Sequence, residues 1–404
     1  MWVIFLDFDP WCGRNLRMIE RTLEKILQNH LDKVPKGLIL LGPRQTGKST
    51  LLRHFSPGLI IDLADETTYR SHLRDPALLR AQVDAVADDA VIFIDEVQRL
   101  PELLNTVQSL IDRRKHLRFL LTASSARKLK RGNANLLPGR MFWYRLYSLT
   151  FWELKQQFDL ERALTIGTLP EIYLEKYGSD LLQNYVNTYI REEIQAEAIT
   201  RSIASFERFI DLAAECSGQI VNYSSLSSDS EIPKETIRRF YQVLVDTLLV
   251  HRISNYQALR PERKASQKDM YIFFDMGIRN AILGRQKNKF SPEELGKLFE
   301  QWFICQVIAY NEYAQKGWTI HYYRDDAKNE VDLVIEQQKR VIAVEIKLSK
   351  SFKPDFTDGL RAIAESSKKP VLQYLVYRGT ERQARDTIKV EPYGYFLSEI
   401  LPQL

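Results

Sequence analysis

A glycine-rich segment near the amino terminus contains the residue types that a phosphate-binding loop needs. Residues 42–49 read Gly-Pro-Arg-Gln-Thr-Gly-Lys-Ser, a match to G-x-x-x-x-G-K-[ST], between the apolar run 37–41 and a segment that can open a helix. In that context, backbone N–H groups point at phosphate oxygens, the lysine neutralises phosphate charge and the serine hydroxyl holds Mg²⁺. We therefore predict that a nucleotide and its metal are bound by Gly42, Pro43, Arg44, Gln45, Thr46, Gly47, Lys48, Ser49 and Thr50.

A pair of acidic residues follows a second apolar stretch. Residues 90–94 are wholly apolar, as in a strand buried on both faces of a parallel sheet, and Asp95 and Glu96 come directly after them. Carboxylates at the carboxyl end of such a strand lie where open α/β sheets bind ligands. We expect Asp95 to reach Mg²⁺ and Glu96 to activate the water that attacks the γ-phosphate. A solvated strand end is the alternative interpretation.

Polar and basic residues further along the chain are candidates for sensing the γ-phosphate. Ser124 follows the next apolar strand and is our first candidate, with Thr122 as the second; Ser125 is equally suited to capping the following helix. Arg140 is a candidate guanidinium that a neighbouring subunit delivers to stabilise charge in the transition state, and Arg127 is a weaker one. A surface ion pair is the alternative for either arginine.

Four charged residues near the carboxyl terminus can meet on one sheet. Glu345 and Lys347 alternate in Val-Glu-Ile-Lys and so share one face of a predicted strand, and a hairpin would place Asp332 opposite them. Glu300 lies one helical turn from Gly296, which we expect to allow close approach of the helix to the sheet. Together these carboxylates predict an oxygen-ligand site for Mg²⁺, beside a lysine that can stabilise phosphate charge. The alternative is a half-exposed hairpin whose charges face water.

The composition excludes several classes of protein. The chain has 404 residues, of which 45% are hydrophobic and 27% charged, as is typical of a globular protein with two or three domains. Its net charge of +5 permits a nucleic-acid partner without requiring one. No apolar run approaches the roughly 18 residues of a membrane helix. The three cysteines are far apart, which favours a reducing cytosol and argues against a zinc site, so we expect a cytoplasmic protein.

The predicted elements indicate how these residues are positioned. Strands alternate with helices in the first part of the chain, which indicates an α/β fold with a parallel sheet covered on both faces. Three helices followed by strands at 248–256 and 270–274 have the order of a winged helix-turn-helix. A long amphipathic helix then precedes strands at 319–323, 331–335 and 341–348. The predicted division is 1–153 for a P-loop ATPase core, 154–205 for a helical lid or linker, 206–290 for a winged helix and 291–404 for an α/β end domain.

Basic residues in the predicted winged helix suggest a DNA-binding surface. A recognition helix in the major groove with a basic wing on the phosphates is a known way of docking. A solvated charged face is the common alternative. The candidates are Lys234, Arg238 and Arg239 on the third helix, and Arg260, Arg263, Lys264 and Lys268 on the wing.

Several motifs carry a likeness to a known family. They are the 42–49 loop, Phe-Ile-Asp-Glu-Val-Gln at 93–98, Leu-Thr-Ala-Ser-Ser at 121–125, Pro-Gly-Arg at 138–140, Phe-Asp-Met-Gly-Ile-Arg at 274–279, and the carboxyl-terminal residues above. Together they resemble the prokaryotic AAA-type (AAA_14) ATPases with a carboxyl-terminal DUF4143 domain. The resemblance implies a P-loop NTPase (AAA+) sheet, a winged helix and an end domain similar to the PD-(D/E)xK, or restriction-endonuclease-like, fold. Ala123 departs from the family, where glycine is expected.

Three functions fit these patterns. The leading hypothesis is a Mg²⁺-dependent, ATP-hydrolysing machine that processes DNA as a homo-oligomeric ring, with a hexamer favoured. A second is an ATP-dependent switch that recruits proteins and whose nuclease-like domain is silent. A third is a Mg²⁺-dependent DNA nuclease that ATP regulates.

Overall fold

A computed structural model of the protein describes residues 19–34, 36–125, 129, 139–194, 203–257 and 268–404. Two β-sheets organise them, one of five strands and one of eight. Within the described part of the chain, none of the helices has the length and apolar character required to span a lipid bilayer.

The five-stranded sheet is wholly parallel, with the order β2-β3-β4-β1-β5. Its inner strand β1 is buried at every position because helices cover both faces: Ile39 packs into one apolar cluster and Leu40 into another. This confirms the predicted α/β fold with a parallel sheet. The strands are β1 Gly37–Leu41, β2 Leu59–Asp62, β3 Val91–Asp95, β4 Arg118–Ala123 and β5 Met141–Arg145, and the helices are α1 Thr22–Lys33, α2 Lys48–Arg53, α3 Glu66–Arg74, α4 Leu78–Asp84 and α5 Leu103–Arg113.

In the described residues between Arg145 and Val250, helices follow the first sheet and no strand intervenes. One of them is an α-helix that begins at Gly178, ends at Tyr185 and continues as a π-helix to Ile194. The continuous segment Gly178–Ile194 is called the lid helix below. The α-helices of this part of the chain are α6 Phe151–Leu154, α7 Leu160–Thr165, α8 Pro170–Leu174, α9 Gly178–Tyr185 (the α-helical part of the lid helix), α10 Ile203–Glu215, α11 Tyr223–Ser230 and α12 Lys234–Asp246.

The eight-stranded sheet is mixed, with the order β12-β13-β11-β10-β9-β8-β6-β7. A helix of 22 residues, α14, packs on it, and a capping box between Ser291 and Glu294 fixes the start of that helix. The strands are β6 Val250–Asn255, β7 Asp269–Phe273, β8 Thr319–Arg324, β9 Glu330–Glu336, β10 Val341–Lys347, β11 Val371–Tyr377, β12 Gln383–Arg385 and β13 Ile388–Pro392, and the helices are α13 Met276–Ile282, α14 Pro292–Tyr313, α15 Asp358–Ser366 and α16 Tyr393–Tyr395.

The hairpin that we assigned to the winged helix belongs to this second sheet. Strands β6 and β7 pair antiparallel, as predicted, but β6 also pairs parallel to β8 through Ser254 with His321 and Asn255 with Tyr322. This pairing satisfies backbone groups that a free strand edge would leave to water. The division at residue 290 stays a prediction, but it runs through one sheet and not between two.

Candidate functional site

The predicted phosphate loop, residues 42–49, leaves β1 and leads directly into α2. Its backbone needs glycine at two positions: Gly47 has φ = 92°, and a Cβ on Gly42 would lie 2.5 Å from the Leu146 carbonyl oxygen. Inside the loop, the buried Thr46 hydroxyl donates to the Pro43 carbonyl at 2.9 Å. The loop is thus a tight turn at the carboxyl end of the inner strand β1, where such sheets bind ligands.

Lys48 points its ammonium group into the loop. The side chain is only 4% exposed, and its Nζ donates to the Pro43 carbonyl at 3.0 Å and lies 3.9 Å from Glu96 Oε1. Burial lowers the pKa of Lys48, against the opposing effect of Glu96 and Asp95. A desolvated ammonium whose partners are a carbonyl and a carboxylate at 3.9 Å is suited to receiving an anion such as phosphate.

Ser49 and Asp95 bring together the two halves of the site predicted from the sequence. The Ser49 hydroxyl donates to Asp95 Oδ1 at 2.9 Å, and the Thr122 hydroxyl donates to the same oxygen. Burial raises the pKa of Asp95, partly offset by these two hydrogen bonds. A serine hydroxyl beside a carboxylate is the oxygen-ligand set that Mg²⁺ prefers, so Ser49 and Asp95 fit the metal role that we predicted for them.

Glu96 is held by two side chains. It has a left-handed backbone (φ = 53°), its Oε2 accepts from the Ser124 hydroxyl at 3.0 Å, and the Gln98 amide donates both to that carboxylate oxygen and to Ser124 Oγ, the latter at 2.9 Å. Ser124 therefore lies beside Glu96, and its role as a γ-phosphate sensor stays a prediction. We did not single out Gln98 from the sequence, although its position two residues after the acidic pair was the available signal.

The phosphate loop and the strand ends line one side of an open cleft of about 950 Å³, and the lid helix lines the other. Arg44, Gln45 and Ser49 are on the loop side. From the lid helix, the Tyr185 hydroxyl donates to the Arg44 carbonyl at 3.3 Å, and the Tyr189 ring centre is 5.3 Å from the Arg44 guanidinium. Neither tyrosine was predicted as a site residue, because no sequence motif places the lid helix over the loop.

Arg140 is far from the phosphate loop of its own chain. It precedes β5, and the carboxyl end of that strand is the end beside the loop, since Arg145 pairs with Leu41. Arg140 therefore lies at the amino-terminal ends of the strands, opposite the loop. There its guanidinium donates to both carboxylate oxygens of Asp112 at 2.8 and 3.0 Å. The contact with Asp112 is the surface ion pair that we gave as the alternative, and action of Arg140 on a neighbouring subunit stays a prediction. Arg127 is outside the described residues.

The four predicted residues of the end domain form one cluster, called the lysine-centred cluster. The Lys347 ammonium lies 2.6 Å from Glu345, 3.2 Å from Asp332 and 3.8 Å from Glu300, measured to the nearest carboxylate oxygen. Burial, and secondarily Asp332, raises the pKa of both Glu300 and Glu345. We predicted a metal ion among these carboxylates, but a lysine ammonium occupies the centre. Across the described residues, no three His, Cys, Asp or Glu side chains are arranged to hold a metal.

We expected Gly296 to allow α14 to approach the sheet closely, and this is wrong, because a Cβ placed there would meet no atom within 4 Å.

The basic residues of the predicted third helix are exposed on α12. They are Lys234, Arg238 and Arg239, and Arg238 also packs over the Tyr223 ring at 4.8 Å. DNA contact by these three residues stays a prediction. Arg260, Arg263 and Lys264 are outside the described residues, and Lys268 is exposed at the start of β7.

Three protein-family models match successive segments of the chain. Residues 34–155 match AAA_14, described as an AAA domain, and residues 295–396 match DUF4143, a domain of unknown function. These matches confirm the AAA-type and DUF4143 resemblances predicted from the motifs. Residues 157–289 match DUF8612, another domain of unknown function, which we did not predict.

Similar proteins extend over most of the chain. The uncharacterized proteins Mb2031c of Mycobacterium bovis and Rv2008c of Mycobacterium tuberculosis are each 25% identical over 382 residues, which cover 92% of this chain and 83% of theirs. Among solved structures, the Walker-type ATPase PABY2304 of Pyrococcus abyssi has 15% identity and a TM-score of 0.45, and the match covers 66% of this chain and 96% of that one.

Proposed function

We propose that this protein binds ATP with Mg²⁺ at the phosphate loop and hydrolyses it. The observation that carries the proposal is the contact between the two halves of the site: Ser49 lies 2.9 Å from Asp95, and Lys48 lies 3.9 Å from Glu96. These residues come from different parts of the chain and meet at the end of a parallel sheet. The match of residues 34–155 to an AAA domain supports the same activity.

Each residue of the site has one role in the proposed hydrolysis of ATP. Lys48 and the loop N–H groups bind and orient the phosphates, and Ser49 and Asp95 hold the metal, which supplies positive charge to the phosphate oxygens. Glu96 Oε1 accepts a proton from water while the water oxygen attacks the γ-phosphorus, and the P–O bond to ADP breaks. Ser124 and Gln98 hold the other Glu96 oxygen and so orient the base.

We further propose that hydrolysis is coupled to DNA, in a ring of identical subunits. The exposed Lys234, Arg238 and Arg239 on α12 support the DNA part, because they follow two helices and precede a β-hairpin, the order of a winged helix. The ring is supported by Arg140, a residue of the predicted catalytic set that lies too far from its own site to act there.

The test is ATP turnover with single-stranded, duplex and branched DNA, together with size determination with and without nucleotide. We expect DNA to stimulate turnover and to bind with affinity that falls steeply as salt rises. Neutralising Lys234, Arg238 and Arg239 together should reduce that salt dependence while basal turnover persists. ATP turnover without DNA binding at low salt would instead favour the nucleotide-dependent switch that recruits proteins.

Nuclease activity is the second candidate, favoured by the assembly of the lysine-centred cluster. Glu300 and Asp332 line a cavity of about 350 Å³ between α14 and the second sheet, so two of the three carboxylates are accessible to a ligand. A bound Mg²⁺ would have to displace the Lys347 ammonium from Asp332. If DNA is cleaved, Asp332→Ala and Lys347→Ala should each abolish cleavage and spare ATP turnover. Cleavage that persists in both variants would place the activity elsewhere.

A further inference from the structure

A buried arginine lies directly behind the phosphate loop. Arg21 is 7% exposed, and its three nitrogens donate in three directions. Nη1 donates to the Thr46 carbonyl at 2.6 Å, Nη2 to the Tyr147 carbonyl at 2.7 Å and Nε to Glu153 Oε1 at 3.1 Å. We infer that Arg21 is a positioning residue that sets the phosphate loop for anion binding, an inference that rests on the proposed ATPase function.

The bond to Thr46 fixes the orientation of one peptide unit in the loop. A trans peptide is planar, and its C=O and N–H point in opposite directions. Because Arg21 holds the Thr46 carbonyl on the outer side of the loop, the N–H of Gly47 must face the other way, into the phosphate cradle. A left-handed glycine has wide backbone freedom, so this peptide would otherwise be the easiest in the loop to rotate.

Arg21 packs directly against the phosphate loop at Gly47. If residue 47 carried a Cβ, the nearest outside atom would be Arg21 Nη1, at 3.5 Å, so the guanidinium already lies in van der Waals contact with that position. A cation at this distance also raises the electrostatic potential in the loop, which favours phosphate there. Arg21 therefore acts on bound phosphate through the loop and does not touch it.

The partner carboxylate, Glu153, also accepts hydrogen bonds from two backbone N–H groups. Glu153 Oε1 also accepts from the Thr22 backbone N–H at 2.8 Å, and Oε2 accepts from the Thr150 N–H at 2.9 Å, within a capping box that begins α6. The pair links the phosphate loop to the start of the helices that lead to the lid helix. Tyr147, the third partner, donates its N–H to the Tyr313 hydroxyl of α14 at 3.1 Å.

A purely structural ion pair is the competing interpretation, and substitutions can separate the two. Removing Arg21 alone would leave Glu153 as a buried unpaired carboxylate, which is strongly destabilising. We therefore choose the double variant Arg21→Met with Glu153→Met, which removes both charges, and the single variant Arg21→Lys, which keeps a cation but loses the planar fork. The control is Arg382→Met with Glu391→Met, a pair at the edge of the second sheet whose glutamate is buried and whose arginine is 55% exposed.

The experiment measures binding of MgADP and of pyrophosphate by calorimetry, KM and kcat for MgATP, and thermal unfolding. In the double variant we expect weaker binding of both ligands and a higher KM, each by about tenfold or more, the size expected when a charge-assisted hydrogen bond is lost. We expect kcat to stay within about threefold and Arg21→Lys to show an intermediate KM. The control pair should leave binding and KM unchanged.

Each outcome bears on one statement. If wild type binds neither ligand, the proposed ATPase function fails, and this inference fails with it. If wild type binds both and the folded double variant binds them equally well, Arg21 is structural only and the inference alone is overturned. If the double variant does not fold, Arg21→Lys decides, because unchanged binding and KM in that folded variant would equally overturn the positioning role.

Discussion

Substituting Lys48 by methionine should abolish ATP turnover without weakening the fold. The ammonium lies 3.9 Å from the Glu96 carboxylate, and we take a similar separation between it and an anionic phosphate oxygen. Two unit charges about 4 Å apart interact by roughly 4 kcal/mol at an effective dielectric constant near 20. Because about 1.4 kcal/mol corresponds to a factor of ten in rate, loss of this charge should reduce turnover by about a thousandfold.

The fold should tolerate this change because the buried ammonium is not a stabilising group. Burial lowers the pKa of Lys48, so at neutral pH the folded chain holds a charge at a cost that the unfolded chain does not bear. Removing the charge should leave the free energy of unfolding unchanged or higher. Methionine retains much of the aliphatic length that packs in the loop.

The assay is phosphate release under saturating MgATP, with thermal unfolding followed by circular dichroism. Lys33→Met, an exposed lysine in the last turn of α1, is the matched control and should behave as wild type in both measurements. Turnover by Lys48→Met within a few-fold of wild type would refute the assignment of the loop as the catalytic one. Full loss of activity accompanied by a lower melting temperature would refute the argument about stability.

Three further substitutions test other parts of the structure. Glu96→Gln should keep MgATP binding and lose about a hundredfold or more in hydrolysis, measured in single-turnover experiments, since an amide cannot accept the proton. Arg140→Ala should lower turnover in proportion to its share of mixed oligomers and leave nucleotide affinity unchanged; a monomeric protein with normal turnover would contradict this. Glu345→Gln should flatten the pH dependence of stability. The raised pKa of Glu345 means that the folded chain keeps a proton that the unfolded chain releases above about pH 4.3, so the free energy of unfolding of wild type falls as pH rises.

The sequence was most informative where chemistry depends on neighbours along the chain. The glycines of the phosphate loop, the lysine and the serine occupy one turn, so their types and order were enough to predict their arrangement. Asp95 and Glu96 could be joined to that loop because parallel strands in an α/β sheet end at the same edge. The strand alternation that placed Glu345 beside Lys347 is also a local property.

Features that depend on tertiary contacts could not be predicted in this way. Arg21 and Glu153 are 132 positions apart and belong to no motif, so only the fold brings them together. The position of Arg140 at the amino-terminal end of β5, away from the loop, follows from the direction of that strand, which a sequence motif does not specify. The carboxyl-terminal cluster is a related case: spacing predicted that the carboxylates meet, but it did not place the Lys347 ammonium between them.

The pairing of β6 with β8 limits where this chain can be cut into fragments that fold. A fragment that ends near residue 290 would lack β8, leaving the edge of β6 and apolar side chains such as Ile253 uncovered. Uncovered strand edges invite association with other chains. Swaps between relatives should therefore not be joined at residue 290, because such a chimera would replace six of the eight strands of one sheet and misassemble.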